Sequence, residues 1–326
     1  MAEKTPATEN PETPATTARK ITATAYGEPS EVLEVAEVEI PRARRGTVVV
    51  QVRAAGLNPY DVKVVRGQMG TKEENLPLSL GGEAAGVVHA AGADSGFRVG
   101  DEVVVYPASG ALAEYVSSSA DNVHSKPAGL GFDVASSVLL AGVAAIDTLA
   151  TLSISEDDVL LVHGGSGSVG SIVVSEALAS GAKVIATASP RNHEHLSRLG
   201  AIPVAYGEGL AEAIDAARGD QAVTAVIDTV GSDEAIDVSL QLVKPHRIVS
   251  LAAFGRSGDG IVVLDGSSEQ SKHFRRSAIE PLLEDAAAKR ITVEIARRFG
   301  FDDAAEAFEE LAGSHPRGKL IFNPRA

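Results

Sequence analysis

From Val159 onward the chain alternates short apolar runs with longer mixed ones. Val159 to His163, Lys183 to Thr187, Ala225 to Asp228 and Ile248 to Leu251 are four or five residues each, rich in Val, Ile and Leu. Between them lie Val169–Ser180, Arg191–Leu199 and Asp233–Leu242, which have the length of helices. Continuous apolar strands separated by helices predict a parallel sheet covered on both faces. Upstream the pattern differs. Ile21-Thr-Ala-Thr-Ala, Thr47-Val-Val-Val-Gln-Val-Arg and Glu102-Val-Val-Val-Tyr are β-rich runs broken by Gly and Pro, which predicts an all-β region of roughly 110 residues. An Ala-rich helical stretch from about Phe132 to Leu152 joins the two. After Ser271 the pattern gives a helix near Ala278–Ala288, a strand near Val293–Phe299, a helix near Asp302–Leu311 and a last strand near Lys319–Phe322. This segment is free to extend the second unit or to cross back to the first. Residues 1–19, with Pro6, Pro11 and Pro14 among Thr, Ala and Glu, read as a disordered tail without the apolar stretch of a secretory signal. No internal repeat interrupts this order.

Length then sets the number of units. At 326 residues the chain exceeds the size at which one core stops growing, so two domains are expected. A net charge of −15, from 29 Lys and Arg against 44 Asp and Glu, repels phosphate backbones and anionic lipid, which excludes nucleic acid and membrane surfaces as partners. The longest uncharged apolar run, Val134 to Ile146, is far short of the roughly 20 residues of a spanning helix. With no cysteine, disulfides, thiol catalysis and thiolate metal sites are ruled out; a cytoplasmic enzyme fits this composition.

The chemistry concentrates in one loop. His163-Gly-Gly-Ser-Gly-Ser-Val-Gly170 puts Gly165, Gly167 and Gly170 in G-x-G-x-x-G spacing directly after a strand and at the mouth of a helix. There the glycines allow a tight turn, close approach of backbone to a pyrophosphate and close helix packing, and the free N–H groups and positive end of the helix starting near Val169 favour an anion, so that Ser166, Ser168 and Val169 join the three glycines as cofactor-binding candidates. No Gly-Lys-Ser/Thr follows, as a P-loop needs, and neither Ser166 nor Ser168 sits in G-x-S-x-G. A NAD-specific site places Asp or Glu at the end of the second strand; Ala186-Thr-Ala-Ser-Pro-Arg191 has none. Ser189 and Arg191 instead suit a 2′-phosphate, so the expected cofactor is NADPH.

Several motifs together resemble the medium-chain dehydrogenase/reductase superfamily, and more narrowly its zinc-free, zeta-crystallin-like quinone oxidoreductase branch. They are Ala55-Gly-Leu-Asn-Pro-Tyr-Asp61, Leu80-Gly-Gly-Glu-Ala-Ala-Gly86, Gly100-Asp-Glu-Val, the glycine loop, Val226-Ile-Asp-Thr-Val-Gly231 and Gly318-Lys-Leu. The resemblance implies an α/β protein with a GroES-like β domain over 20–135, completed by 273–326, and a Rossmann NADP-binding domain over 136–272, a doubly wound parallel sheet. Zinc-dependent relatives have Cys where this chain has Asn58, and Gly-His-Glu where it reads Gly81-Gly82-Glu83. No catalytic metal is therefore expected. The resemblance also implies Asn58 and Asp61 near the nicotinamide ribose and substrate, Ser189, Arg191 and Tyr206 at the adenosine end, Phe254 and Gly255 beside the nicotinamide, and Lys319 near the cofactor cleft. One departure is that Ser166 and Ser168 replace small apolar residues of the usual fingerprint.

Without a Lewis acid, quinones and conjugated enones are the acceptors expected to react, because incoming charge delocalises into a diolate or enolate. Asn58, Tyr60 and Asp61 are the catalytic candidates: Asn58 as donor to the substrate oxygen or ribose, Tyr60 against a planar acceptor, Asp61 as a structural or ribose partner. His193 and His195, two apart, are read as a solvated face, His163 as packed, and Asp147 as facing the polar side of its helix. The leading reading is a zinc-independent NADPH:quinone oxidoreductase acting as a homodimer. An enone or 2-alkenal double-bond reductase, and a non-catalytic NADPH-binding sensor or structural protein, remain alternatives.

Overall fold

A computed structural model describes residues 16–313 and 317–326. The all-β region closes around one long strand, Thr47–Leu57, which pairs antiparallel with Ala84–Ala91, Tyr115–Ser119 and Lys319–Phe322. Val48, Val50, Val52 and Leu57 are buried in the core there with Phe299, Phe308 and Phe322. The C-terminal segment thus crosses back to the first unit, where three large aromatic side chains find an apolar core. A smaller sheet of Thr17–Ala23, Leu33–Glu39 and Leu78–Ser79 flanks it.

The second unit is a six-stranded, wholly parallel sheet, in the order Ile202–Val204, Lys183–Thr187, Val159–His163, Ala225–Asp228, Ile248–Ser250 and Val262–Val263. Every residue of Val159–His163 is buried, as an apolar strand covered on both faces must be. Numbered along the chain the strands run 3-2-1-4-5-6, so the order reverses between Val159–His163 and Ala225–Asp228. A crevice opens at such a switch point, outside the carboxyl ends of the strands.

The structure departs from the sequence expectations in several places. Of the tail expected over 1–19, residues 1–15 lie outside the described residues, while Thr17, Ala18 and Arg19 are already strand, paired with Glu39, Val38 and Glu37. The Ala-rich stretch is two helices, Phe132–Ala135 and Leu139–Leu152, and Ser137 Oγ donates to Asp133 O (2.7 Å) at the break. The later helix begins at Glu269, not near Ala278, because the Ser268 hydroxyl accepts from Ser271 N and caps it. Asp147 does not face solvent. It is fully buried and accepts from Ser271 Oγ (3.0 Å) and Arg275 Nε (2.7 Å), so the polar residue in an apolar helix faces the polar start of its neighbour. This ion pair ties Leu139–Leu152 to Glu269–Ala287. Arg275→Met leaves a buried carboxylate without its cation and is expected to cost about 3 to 5 kcal/mol in urea unfolding. A loss below about 1 kcal/mol would show that the pair does not hold the helices together.

Candidate active site

The glycine loop is fixed from behind. Gly164 N donates to Thr187 Oγ1 (3.1 Å) and Gly165 N to Thr187 O (2.9 Å), which binds the loop to the end of the neighbouring strand. A Cβ at Gly170 would stand 2.2 Å from Gly164 O, so only glycine lets the helix Ser168–Ala179 start this close to its strand. A Cβ at Gly167 would meet only Gly164 O, at 3.3 Å, and otherwise open space. The amides of Ser168, Val169 and Gly170 have no acceptor among the described residues. Open space, unpaired N–H groups and the positive end of a twelve-residue helix fit the pyrophosphate of a dinucleotide.

Across the cleft from this loop runs the returning segment. Ser166, Gly167, Ser168 and Ile172 line one wall; Val293, Arg317, Gly318 and Lys319 line the other. Lys319 is buried, and its ammonium donates to Asn58 Oδ1 and to Glu83 Oε1 (3.2 Å). Glu83, also fully buried, accepts from Asn58 Nδ2 (3.0 Å) on the same oxygen and from Leu140 N (2.9 Å) on the other. An ammonium has three N–H groups, so one is left for the cleft. A Cβ at Gly56 would fall 2.7 Å from Glu83 Oε1, which accounts for the glycine before Leu57 and Asn58.

Asn58 and Asp61 are therefore brought together, and it is Asn58 that departs from the sequence reading. Both N–H groups of the Asn58 amide are engaged, with Gly56 O (3.2 Å) and Glu83, so Asn58 has no free donor for a substrate oxygen. Asp61, in the first turn of the helix Pro59–Val65, is the partner of Asn58 in a capping box: it accepts from Asn58 N (2.9 Å) and, from the loop between Leu78–Ser79 and Ala84–Ala91, from Gly81 N (3.1 Å). Burial pushes its carboxyl up to about 6, against the pull of those two N–H groups and of Lys319. Tyr60, next along the helix, is half exposed.

At the carboxyl ends of the parallel strands, Ser189 is half-buried, and Arg191 and Gly255 are exposed. Tyr206 and Phe254 are exposed aromatic residues on the same rim. Asp228, which the sequence reading passed over, holds two of these loops: it accepts from Val230 N (3.0 Å), Gly231 N (3.0 Å) and Ser250 Oγ (2.5 Å), and Ser250 Oγ accepts in turn from Ala252 and Ala253 N. Glu83 and Asn192 were missed as well. The signals available were a carboxylate inside the apolar Leu80–Gly86 run and an amide at a helix start. His163 is packed as expected, against Ser239 Oγ (3.1 Å), and burial pulls its imidazole down to about 4, which keeps it neutral. The pair His193 and His195 is not a solvated face: His193 bonds Ala188 O (3.1 Å), and His195, mostly covered, lies 3.9 Å from Glu294 at the cleft edge. Among the described residues no group of three or more His, Asp or Glu is placed to hold a metal ion. No helix among them is long and apolar enough to cross a membrane.

Fold and cleft define a two-domain protein of the dinucleotide-binding class. The family model for the alcohol dehydrogenase GroES-like domain matches residues 44–132, and that for zinc-binding dehydrogenase matches 199–322. A mitochondrial NAD(P)H oxidoreductase, RTN4IP1 of Mus musculus, is 30% identical over 323 residues, covering 85% of this chain and 81% of that protein. A chloroplastic NADPH-dependent alkenal/one oxidoreductase of Arabidopsis thaliana is 28% identical, covering 88% of this chain and 74% of that one. The quinone oxidoreductase of Coxiella burnetii superposes with a TM-score of 0.80 at 30% identity, over 94% of this chain and 99% of the other. This chain belongs to the medium-chain dehydrogenase/reductase superfamily of oxidoreductases, in its quinone oxidoreductase branch.

Asp61 gives the site a pH signature. Its folded-state pKa near 6 lies above the ordinary value of 3.8, so the folded chain holds the proton more tightly than the unfolded one. The stability this adds is fully present below pH 4 and is lost as pH rises through 6. Asp61→Asn cannot titrate. Relative to wild type, the variant's unfolding free energy is therefore expected to improve by up to about 3 kcal/mol between pH 4 and pH 7. A difference that stays flat over this range in parallel urea titrations would contradict the assignment.

Proposed function

We propose that this chain is a zinc-independent, NADPH-dependent oxidoreductase that reduces quinones. The observation that carries the zinc-free reading is the Lys319 ammonium held between Asn58 and Glu83. On the family pattern, zinc-dependent members place a cysteine ligand at position 58 and a histidine ligand at position 82. Here those positions hold an amide and a glycine, and the positive charge comes from a lysine. The Coxiella relative's name supports a quinone as acceptor, and the Arabidopsis relative's name supports NADPH.

When bound, NADPH supplies a hydride from nicotinamide C4. In this reading the amides of Ser168, Val169 and Gly170 hold its pyrophosphate, with Gly165, Ser166 and Gly167 shaping the loop. Ser189 and Arg191 take the 2′-phosphate, Tyr206 covers the adenosine end, and Phe254 and Gly255 lie beside the nicotinamide. Tyr60 offers an exposed ring to a planar acceptor. Asn58 and Glu83 orient Lys319, whose remaining N–H stabilises negative charge on the cleft side, where low polarity makes a fixed donor worth most. Asp61 anchors the Asn58 backbone and is a positioning residue. Among the described residues the strand Val262–Val263 ends its sheet and pairs only with Ile248–Ser250, which supports a homodimer joined at that edge. A cytoplasmic location belongs to this reading and is compatible with the absence of cysteine.

The Arabidopsis relative's name also favours a second reading, reduction of the carbon–carbon double bond in enones and 2-alkenals. Initial rates of NADPH and NADH oxidation in excess chelator, against an ortho-quinone, a para-quinone, a conjugated enone and a saturated aldehyde, separate the two. Chelator-insensitive, NADPH-selective turnover of quinones is expected, with little activity on the saturated aldehyde. Preference for the enone would select the second reading. Loss of activity in chelator would overturn zinc independence.

A further inference from the structure

Asn192 lies between the glycine loop and the end of the second strand, buried in the single turn Pro190–Asn192 that precedes the helix His193–Leu199. Its side-chain amide donates to Ser166 Oγ (3.0 Å) and to Ser189 Oγ (3.2 Å). One nitrogen thus links the two segments where the cofactor's anionic groups are proposed to bind. An amide NH2 only donates, so each serine oxygen receives a bond and keeps its own hydroxyl hydrogen. Neither hydrogen has an acceptor among the described residues. Ser166 stands in the cleft wall beside the unpaired amides of Ser168, Val169 and Gly170. Ser189 stands two residues before the exposed Arg191, which has no carboxylate partner among the described residues. Both hydroxyls thus keep a hydrogen to give, one beside the unpaired loop amides and the other near the Arg191 guanidinium. Such a cluster attracts an acceptor that carries charge.

We infer that Asn192 is a specificity-determining positioning residue, which presents the Ser166 and Ser189 hydroxyls as donors to two phosphate groups of one ligand. This rests on the NADPH reading above and deepens it. Ser166 serves the pyrophosphate, which NADPH and NADH share; Ser189 serves the 2′-phosphate, which only NADPH has. The link is a property of this chain, because Ser166 replaces a small apolar residue of the family fingerprint and an apolar side chain has no oxygen for Asn192 to hold.

Equilibrium binding of NADPH and NADH to the full chain, followed by nicotinamide fluorescence, tests the inference without turnover. Wild type is expected to bind NADPH more tightly. Ser166→Ala weakens both cofactors alike and leaves their ratio within about twofold, whereas Ser189→Ala lowers the NADPH-to-NADH ratio by about tenfold. Asn192→Asp has the larger effect: a carboxylate accepts both hydroxyl hydrogens and adds a negative charge beside the phosphates, so the ratio falls by more than about tenfold. Asn192→Ser, which fits the same space, keeps the inference testable if the aspartate variant does not fold. A merely structural role would lower the affinities for both cofactors equally in the Asn192 variants, and a ratio unchanged from an NADPH-selective wild type would overturn the inference. A wild type that prefers NADH would overturn the cofactor reading itself, and the inference with it.

Discussion

The buried ion pair of Lys319 and Glu83 is the constraint on which the arrangement of the cleft depends. The two residues are 236 positions apart in the chain and almost wholly removed from water. Burying two charges is costly unless every remaining valence is met, and breaking such a pair costs more than never building it. Here the carboxylate is met by three donors, from Asn58, Lys319 and Leu140, while one ammonium N–H is left for the cleft. Glu83 comes from the strand region of the first domain, Lys319 from the returning C-terminal strand, and Leu140 N from the helix that packs against the parallel sheet. One carboxylate thereby fixes the relative positions of both domains and of the return. The close approach of Gly56 to Glu83 shows that the surrounding backbone is shaped to this carboxylate.

The same pair reconciles a strongly acidic chain with an anionic ligand. A net charge of −15 works against phosphate at a distance, yet the cleft presents unpaired amides, a helix N-terminus, hydroxyl hydrogens and the Lys319 ammonium. Local donors in a water-poor cleft outweigh a distant field that salt screens within about 10 Å. On the zinc-independent reading proposed above, few catalytic side chains are needed, because the chemistry then asks of the protein mainly fixed donors and close positioning.

Much of this was legible in the sequence, and the limits have physical causes. Val159–His163, Lys183–Thr187 and Ala225–Asp228 were read with their exact ends because strands buried on both faces leave continuous apolar runs. The strand Ile202–Val204 and the two-residue Val262–Val263 are too short to leave one. Lys319–Phe322 was read as a strand, but its partner was not, since four residues carry no address; the aromatic core waiting in the first domain decides it. Asp147 looked like a solvent-facing break in an apolar helix because its partners, Ser271 and Arg275, are more than 120 residues away. Glu83 entered only as part of a missing zinc motif. Its role depends on Lys319, and no local pattern joins the two. Candidate residues that lie on motifs were legible; the hydrogen bonds that decide what each can donate, as for Asn58 and Asn192, were not.

The most direct test of the central claim is the turnover number of Lys319→Met with its best acceptor, measured beside Glu83→Gln/Lys319→Met so that no unpaired charge remains in the core. If the ammonium stands in for a metal's positive charge at the cleft, both variants lose about 100-fold or more in kcat while the double variant regains wild-type stability. If the folded double variant turns over within about twofold of wild type, the ion pair is only structural, and the stabilising charge must come from elsewhere.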